Sequence, residues 1–150
     1  MIASVIIQFD RQPHDFEPRE IVTGTFRTVD VIPEEISRLE FSVLWFTEGK
    51  GDEDLGVHFF KSLGEDEHAD EPDSTSGNGI NQVFLQSSDE EGLTYFFSVG
   101  LPSSPLTWHG KILKIYWCVR VRLYLKNGRE VMSEREFNVG KIPPVHVELN

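Results

Sequence analysis

Apolar and polar residues alternate along most of this chain, and the longest alternating stretch runs from Leu113 to Leu125. Its odd positions are all apolar, whereas the even positions are lysine, arginine, tyrosine or cysteine. Because successive side chains of a β-strand point to opposite faces, this pattern predicts a long strand with one buried face. The same period recurs in five shorter stretches: Val5–Phe9, Leu39–Trp45, Val57–Phe59, Tyr95–Val99 and Phe137–Val139.

Turn-forming pairs of glycine, proline and asparagine separate these stretches, as expected where short strands are joined by loops. No window of helical length carries an apolar stripe of helical period, although Pro33 to Ile36 is compatible with one helical turn. The sequence therefore predicts an all-β fold of about eight antiparallel strands in two sheets packed face to face.

The Asn127-Gly128 turn also predicts how the last two strands pair. Residues that face each other across a hairpin lie on the same side of the sheet. A two-residue loop would place buried positions opposite a series of glutamates. A three-residue loop, Lys126 to Gly128 with a left-handed glycine, instead pairs Leu123 with Val131 and Trp117 with Phe137. We expect this second register.

Charge is distributed unevenly over the 150 residues. The net charge is −11, from 25 acids and 14 bases, which argues against a general affinity for nucleic acid or anionic membrane. From Glu48 to Glu91 there are 13 acids and two bases. Within that segment, Gly64 to Gly79 has six acids, no base and several turn formers, a composition that buries little apolar surface. We expect residues 64–79 to form an acidic flexible loop within a single domain of residues 1–150.

The sequence predicts neither an export signal nor a membrane-spanning segment. The first seven residues lack the basic flank and length of a signal peptide, and the uncharged residues 92–110 contain two prolines. The sequence therefore predicts a cytoplasmic protein without a transmembrane segment.

Catalytic and metal-binding chemistry has little support in the sequence. Cys118, the single cysteine, excludes an internal disulfide, and alternation places it on the outer face as a surface thiol without a neighbouring base. Three clusters of carboxylates lack the ligand spacing of calcium loops, which leaves either a cation site or a solvated acidic rim. The five histidines lack zinc-site spacing. We predict no catalytic residue, no cofactor and no metal ligand.

A basic segment supplies the candidate binding residues. Lys111 to Arg129 contains six bases and no acid. The outward row of its strand includes Tyr116, Arg120, Arg122 and Tyr124, residue types that suit an acidic or extended peptide. The alternative is a solvated face that neighbouring carboxylates neutralise.

Three segments together resemble the arrestin-like superfamily, in particular its amino-terminal sandwich domain. Glu20–Phe26 is similar to an early strand with an acid, apolar residues and a glycine. Tyr95–Leu106 resembles an aromatic strand that ends in Leu-Pro and a Pro/Ser loop, and Ile112–Leu125 resembles the strand that follows. The resemblance extends from about residue 3 to residue 140. It implies an immunoglobulin-like sandwich that binds proteins, as in arrestins, trafficking adaptors and bacterial sporulation-control relatives.

The departures from that pattern limit what the resemblance implies. Arrestins carry two such sandwiches, whereas this chain has length for one. Pro143-Pro144-Val145-His146 differs from the Pro-Pro-x-Tyr motif of α-arrestins. The resemblance therefore implies a fold and an adaptor role, and no functional residue is transferred.

Two functions of different classes follow. The first is a non-enzymatic, cytoplasmic interaction domain with a protein partner. The alternative is a ligand-binding module for carbohydrate or calcium, with Trp45, Trp108 or Tyr116 as a stacking platform. Since Trp45 and Trp117 belong to inward series, Trp108 is the tryptophan left for a ligand. Pairing of edge strands would give a homodimer, although nothing in the residues requires one.

Overall fold

Two β-sheets packed face to face form the fold in a computed structural model, which describes residues 2–51, 53–64 and 80–140. We number the strands in chain order. The smaller sheet contains, in spatial order, β1 (Ser4–Phe9), β3 (Ile21–Val29), β7 (Gly92–Gly100) and β6 (Gln82–Asp89). The larger sheet contains β2 (Asp15–Phe16), β10 (Glu130–Val139), β9 (Leu113–Leu125), β4 (Ile36–Gly49) and β5 (Leu55–Gly64), and β8 (Trp108–His109) pairs with the start of β9.

The all-β prediction is confirmed. Eight strands have six residues or more, and the other two described strands, β2 and β8, have two each. The pairs are antiparallel except for β2 and β10, whose short ladder is parallel. Pro33–Glu35 forms the single helical turn that the sequence allowed, with the proline at its start. None of the described segments forms a helix long and apolar enough to cross a membrane.

The core lies between the sheets and is built from aromatic and branched side chains. Trp117, Phe26, Phe41 and Phe97 are fully buried. The rings of Phe26 and Phe41 come from opposite sheets and stack with centroids 5.4 Å apart. The inward series of β9 is buried from Trp117 onward, whereas Leu113 at the start of the strand is exposed. The alternation therefore predicted the correct face, and the core covers the later part of that strand.

The hairpin between β9 and β10 has the predicted register. Leu123 pairs with Val131, and Trp117 pairs with Phe137. Gly128 has a φ of 91°, in the left-handed region that glycine tolerates, and its N–H donates to the carbonyl of Leu125 at 3.0 Å.

Strand β5 contains a β-bulge that the sequence pattern does not anticipate. Val57 pairs with Leu44 and Phe59 pairs with Val43, so His58 is an extra residue on this strand. The prediction that Val57 and Phe59 share a face is therefore wrong. Phe59 packs against the core, whereas Val57 is exposed. The side chain of His58 donates from Nε2 to the carbonyl of Gly100 in the other sheet at 2.6 Å.

Several predictions fall outside the described residues. These are the acidic loop after Gly64, whose residues 65–79 are not described, and the Pro143-Pro144 segment. The flexibility of residues 64–79 stays a prediction.

Candidate interaction surface

The outer face of the larger sheet, which points away from the smaller sheet, carries the residues that the sequence singled out. The even positions of β9 lie on this face. Their cross-strand partners on β4 run from Phe46, opposite Tyr116, to Arg38, opposite Tyr124. Along this face the Tyr124 end is charged, Tyr116 and Phe46 form an apolar stretch, and the charged residues Lys114 and Glu48 lie beyond that stretch.

Both arginines of the predicted binding row are paired with glutamates of β10. Arg120 donates from Nε to Glu134 Oε2 at 2.6 Å, and Arg122 donates from Nη1 to Glu130 Oε1 at 2.7 Å. The hydrogen bond and charge of Glu130 raise the pKa of Arg122. An acidic ligand would therefore compete with carboxylates that already occupy these guanidinium groups.

Tyr124 belongs to a second polar contact on the same face. Its hydroxyl donates to Glu40 Oε1 at 2.9 Å, and the Arg38 guanidinium lies 4.3 Å from the centre of its ring. These contacts fix the tyrosine within the sheet's own network. Binding of a partner by Tyr116, Arg120, Arg122 and Tyr124 stays a prediction.

Cys118 corrects the expectation of a surface thiol. The side chain does lie on the outer face, but only 1% of it is exposed. It is a small residue on a central strand, and its register partners Leu44 and Glu136 carry longer side chains. Burial, reinforced by the charge of Glu134, raises the pKa of the thiol to about 12. The neighbouring arginine does not outweigh these effects, so the thiol is a packing residue.

The apolar stretch at Tyr116 and Phe46 continues onto edge strand β5. The rings of Tyr116 and Phe46 stack with centroids 5.1 Å apart, and Phe46 is the register partner of Leu55. Leu55, Val57 and Phe60 are 55%, 53% and 52% exposed. We call these five residues the β5 patch. It joins exposed aliphatic side chains to a partly buried aromatic stack.

Strand β5 also ends the order of the larger sheet among the described residues. An edge strand offers a row of backbone N–H and C=O groups to a further strand. The turn before it carries exposed acids at Glu53 and Asp54. The β5 patch thus combines apolar side chains, available backbone groups and negative charge at one end.

Sequence reasoning missed this patch because the bulge at His58 reverses the alternation. Strict alternation would have buried Val57, and the bulge turns it outward beside Leu55. The adjacent apolar pair Phe59-Phe60 was the available signal, since one of two neighbouring residues in a strand faces outward.

The three tryptophans occupy different environments, which bears on the ligand-binding alternative. Trp117 is fully buried, as predicted, and donates its indole N–H to the carbonyl of Pro105 at 2.8 Å. Trp45 is half-buried and lies over Gly56, where a Cβ atom would come within 2.3 Å of the indole. Trp108 is 53% exposed. Stacking of a ligand on Trp108 stays a prediction.

The structure brings no metal-binding group of side chains together among the residues that it describes. Asp52 and residues 65–79 are not among them. Within 2–51, 53–64 and 80–140 no group of three histidine, cysteine or carboxylate side chains could hold an ion. The calcium form of the alternative stays a prediction for the remaining acids.

Comparison with solved structures identifies the fold. The chain is similar to Spo0M, a sporulation control protein from Bacillus subtilis, with a TM-score of 0.59 and 14% sequence identity. The similarity covers 93% of this chain and 49% of Spo0M, so the chain spans about half the length of that protein. The fold is arrestin-like. No protein-family model matches the chain, and no curated protein matches its sequence. At this identity the similarity establishes the fold alone, and the resemblance expected from the three sequence segments agrees with it.

Proposed function

We propose that this chain is a non-enzymatic interaction domain of adaptor type that binds an extended segment of another protein along β5. The observation that carries the proposal is the β5 patch, where three exposed apolar side chains line an edge strand. An extended peptide that adds to a sheet edge gains main-chain hydrogen bonds, and its alternate side chains gain apolar contacts.

Strand β5 has less protection against pairing with another chain than edge strands usually have. Edges are commonly guarded by charged side chains, proline or bulges. Strand β5 has the bulge at His58 and one lysine, Lys61, but its three exposed side chains are apolar. A contiguous apolar surface at an edge is a mark of an interaction site.

Charge around the strand indicates the chemistry of the partner segment. Glu53 and Asp54 precede β5, and the sequence after Gly64 continues with Glu65, Asp66 and Glu67. A partner with apolar residues at alternate positions and lysine or arginine at its ends complements this pattern. The apolar residues would pack on Leu55, Val57 and the Phe46–Tyr116 stack.

The predicted row of Arg120, Arg122 and Tyr124 adjoins the β5 patch on the same face. It would extend the contact for a partner that also carries acids, after displacement of Glu130 and Glu134. A cytoplasmic location is part of the proposal, since a reducing compartment suits a domain with a lone cysteine.

Peptide selection on the purified chain tests the proposal. Peptides displayed as a random library and enriched on the wild type should alternate apolar residues and carry basic ends. Their binding should weaken at least about tenfold, about 1.4 kcal/mol, in Val57→Lys. The matched control is Leu85→Lys, which changes a residue of similar exposure on β6, and it should retain binding.

Two outcomes contradict the proposal. One is that no peptide is enriched, or that Val57→Lys and Leu85→Lys bind equally. The other is a concentration-dependent dimer that Val57→Lys disrupts, which would make the occupant of the edge a second copy of this chain.

A further inference from the structure

Strand β6 ends the smaller sheet among the described residues, and it presents two adjacent apolar side chains to solvent. Phe84 and Leu85 are 46% and 49% exposed. Phe84 pairs with Phe96 of β7, and the centroids of the two rings lie 5.1 Å apart on the outer face of the sheet. Leu85 pairs with Tyr95, which packs against the core. Because neighbouring residues of a strand face opposite ways, both faces of this edge are apolar.

Hydrogen bonds hold β6 at both of its ends. Asn81, just before the strand, accepts at Oδ1 from the N–H of Gly100 at 2.8 Å. Asp89, the last residue of the strand, accepts at Oδ1 from the N–H groups of Glu91 and Gly92 at 2.8 and 3.2 Å. An edge strand that is already held in this way loses little conformational freedom when a further strand pairs with it.

Charge distinguishes β6 from other edges of the sandwich. Residues 74–88 contain no charged side chain, in a chain whose net charge is −11. Strand β5, by contrast, is preceded by Glu53 and Asp54. At the β1 edge, the guanidinium group of Arg135 donates to the carbonyl of Ile7 at 2.9 Å. Since charged side chains commonly protect edge strands from pairing, β6 is the edge that a second copy of this acidic chain can approach without facing like charge.

The sequence of β6 is also complementary to itself in one antiparallel register. When Phe84 lies opposite the Phe84 of a second copy, Leu85 lies opposite Val83, and Gln86 lies opposite Gln82. Residues that face each other across such a pair lie on the same side of the sheet. The phenylalanine rings would therefore meet on the outer face, and the aliphatic side chains would meet on the face towards the core.

The ends of β6 are compatible with this register. Asp89 would lie beyond Gln82 of the other copy, where residues 74–81 are uncharged, so that acid does not face acid. The ladder between β6 and β7 shifts between Leu85 and Ser87, which makes Gln86 a bulged residue. The regular pairing with a second copy would therefore end at about this position.

We propose that two copies of this chain form a dimer by antiparallel pairing of their β6 strands, with Phe84 opposite Phe84. The two four-stranded sheets then join into one sheet of eight strands. Main-chain hydrogen bonds and burial of the two apolar side chains stabilise the contact. Because the paired segment is short, it buries less than the roughly 1,200 Å² of a stable interface, and we expect a dissociation constant of about 10 µM to 1 mM. This contact is separate from the β5 patch and does not rest on the proposed peptide binding.

Analytical ultracentrifugation of the full chain between about 10 µM and 1 mM tests the proposal. The wild type should change from monomer to dimer over this range, whereas Leu85→Lys should stay monomeric with its melting temperature retained. The matched control is Met132→Lys on β10, because it adds the same charge at a residue that is also 49% exposed. Both this control and Val57→Lys should form a dimer as the wild type does.

Disulfide cross-linking tests the register, with Cys118→Ala as the background of every variant. Residues directly opposite each other in an antiparallel pair have Cα atoms about 4.5 to 5.5 Å apart, which suits a disulfide. Phe84→Cys should therefore form covalent dimers in oxidised glutathione at least about fivefold faster than Met132→Cys. Leu85→Cys lies about 8 Å from its own counterpart on the diagonal, so it should react slowly alone and quickly when it is mixed with Val83→Cys.

Four results would overturn the proposal. The first is a wild type that stays monomeric at the highest concentration, and the second is equal dimer formation by Leu85→Lys and Met132→Lys. The third is a Phe84→Cys variant that cross-links no faster than Met132→Cys or more slowly than Leu85→Cys alone. The fourth is a dimer that Val57→Lys abolishes and Leu85→Lys retains, since the contact would then lie at β5.

Discussion

The indole N–H of Trp117 donates to the backbone carbonyl of Pro105 at 2.8 Å, so the largest buried side chain of the core also holds the loop before β8. A buried N–H without an acceptor would be destabilising, and Pro105 supplies that acceptor from outside the strands. One residue therefore joins the packing of the two sheets to the position of the β8–β9 hairpin.

Trp117→Ala should lower the free energy of unfolding by about 3 to 5 kcal/mol, because it leaves a large cavity between the sheets. Trp117→Phe should cost less, since it keeps most of the apolar volume and loses the hydrogen bond. Urea denaturation measures both values. Arg122→Ala on the outer face is the control, expected to change stability by about 0.5 kcal/mol. A Trp117→Ala protein as stable as the wild type would contradict the packing described.

Cys118 should resist thiol reagents in the folded protein. With a pKa of about 12, only about one thiol in ten thousand is ionised near pH 8. We expect modification by a disulfide reagent to be slow in buffer and fast in guanidinium chloride. Rapid reaction of the folded chain would contradict the burial of this side chain.

The same thiol predicts a direction for the pH dependence of stability. In the unfolded chain it ionises near its ordinary value of 9.0, whereas the folded state keeps the proton until about pH 12. Between these values the unfolded state binds fewer protons, so stability should fall as the pH rises. Cys118→Ala should flatten the alkaline limb of the stability curve, relative to wild type.

Glu20 should titrate at an unusually low pH. Hydrogen bonds from the Arg11 guanidinium, then from the backbone N–H of Glu17, lower the pKa of this carboxyl to about 2. The folded state therefore binds its proton more weakly than the unfolded state does. Any stability that the pair contributes is present above pH 4.5 and is lost as the pH falls towards 2. Carboxyl resonances in an NMR titration should show Glu20 returning towards its ordinary pKa in Arg11→Met.

The arginine row has a test that follows from its own ion pairs. Glu130→Gln with Glu134→Gln removes the carboxylates that occupy Arg120 and Arg122. If the row binds an acidic partner, affinity for a labelled oligoglutamate peptide should rise at least about fivefold, about 1 kcal/mol. The control pair, Glu136→Gln with Glu90→Gln, changes the net charge equally and leaves both ion pairs intact. Equal binding by the two double variants would remove this row from the candidate surfaces.

Replacement of residues 65–79 by a short Gly/Ser linker should leave the sandwich folded. Strand β5 is held by β4, and β6 is held by β7, so neither depends on the other for pairing. Loop length enters the closure entropy only logarithmically. Circular dichroism and thermal melting would show the outcome, and loss of the β-sheet signal would contradict it.

Alternation predicted the faces of the long strands because a buried sheet face requires apolar residues at every second position. It also predicted the register of β9 and β10, since the other hairpin loop would have placed Leu123 and Leu125 opposite the polar side of β10. Both the faces and this register depend only on the order of apolar and polar residues within the paired segments, so the sequence alone is enough to predict them.

Features that depend on neighbouring strands could not be predicted in the same way. The bulge at His58 reflects the fit of β5 against β4, and Cys118 is buried by longer side chains from the flanking strands. The charge pattern indicated that neighbouring carboxylates could neutralise Arg120 and Arg122. Which glutamates pair with them depends on the register of β9 and β10. The sequence therefore predicted the basic row of β9 as a candidate site. It did not predict the apolar continuation of that site at Leu55 and Val57.

Thr107 and Val139 bond to each other twice, through the N–H of Thr107 to the carbonyl of Val139 at 2.9 Å and through the N–H of Val139 to the Thr107 hydroxyl at 2.8 Å. The two ends of segment 107–139 are therefore bonded to each other. Strands β8 and β10, which both pair with β9, meet end to end at this junction. Insertions between Lys111 and Ile112 would lengthen the β8–β9 hairpin without moving this junction. The length of this hairpin is in this respect independent of the framework that carries it.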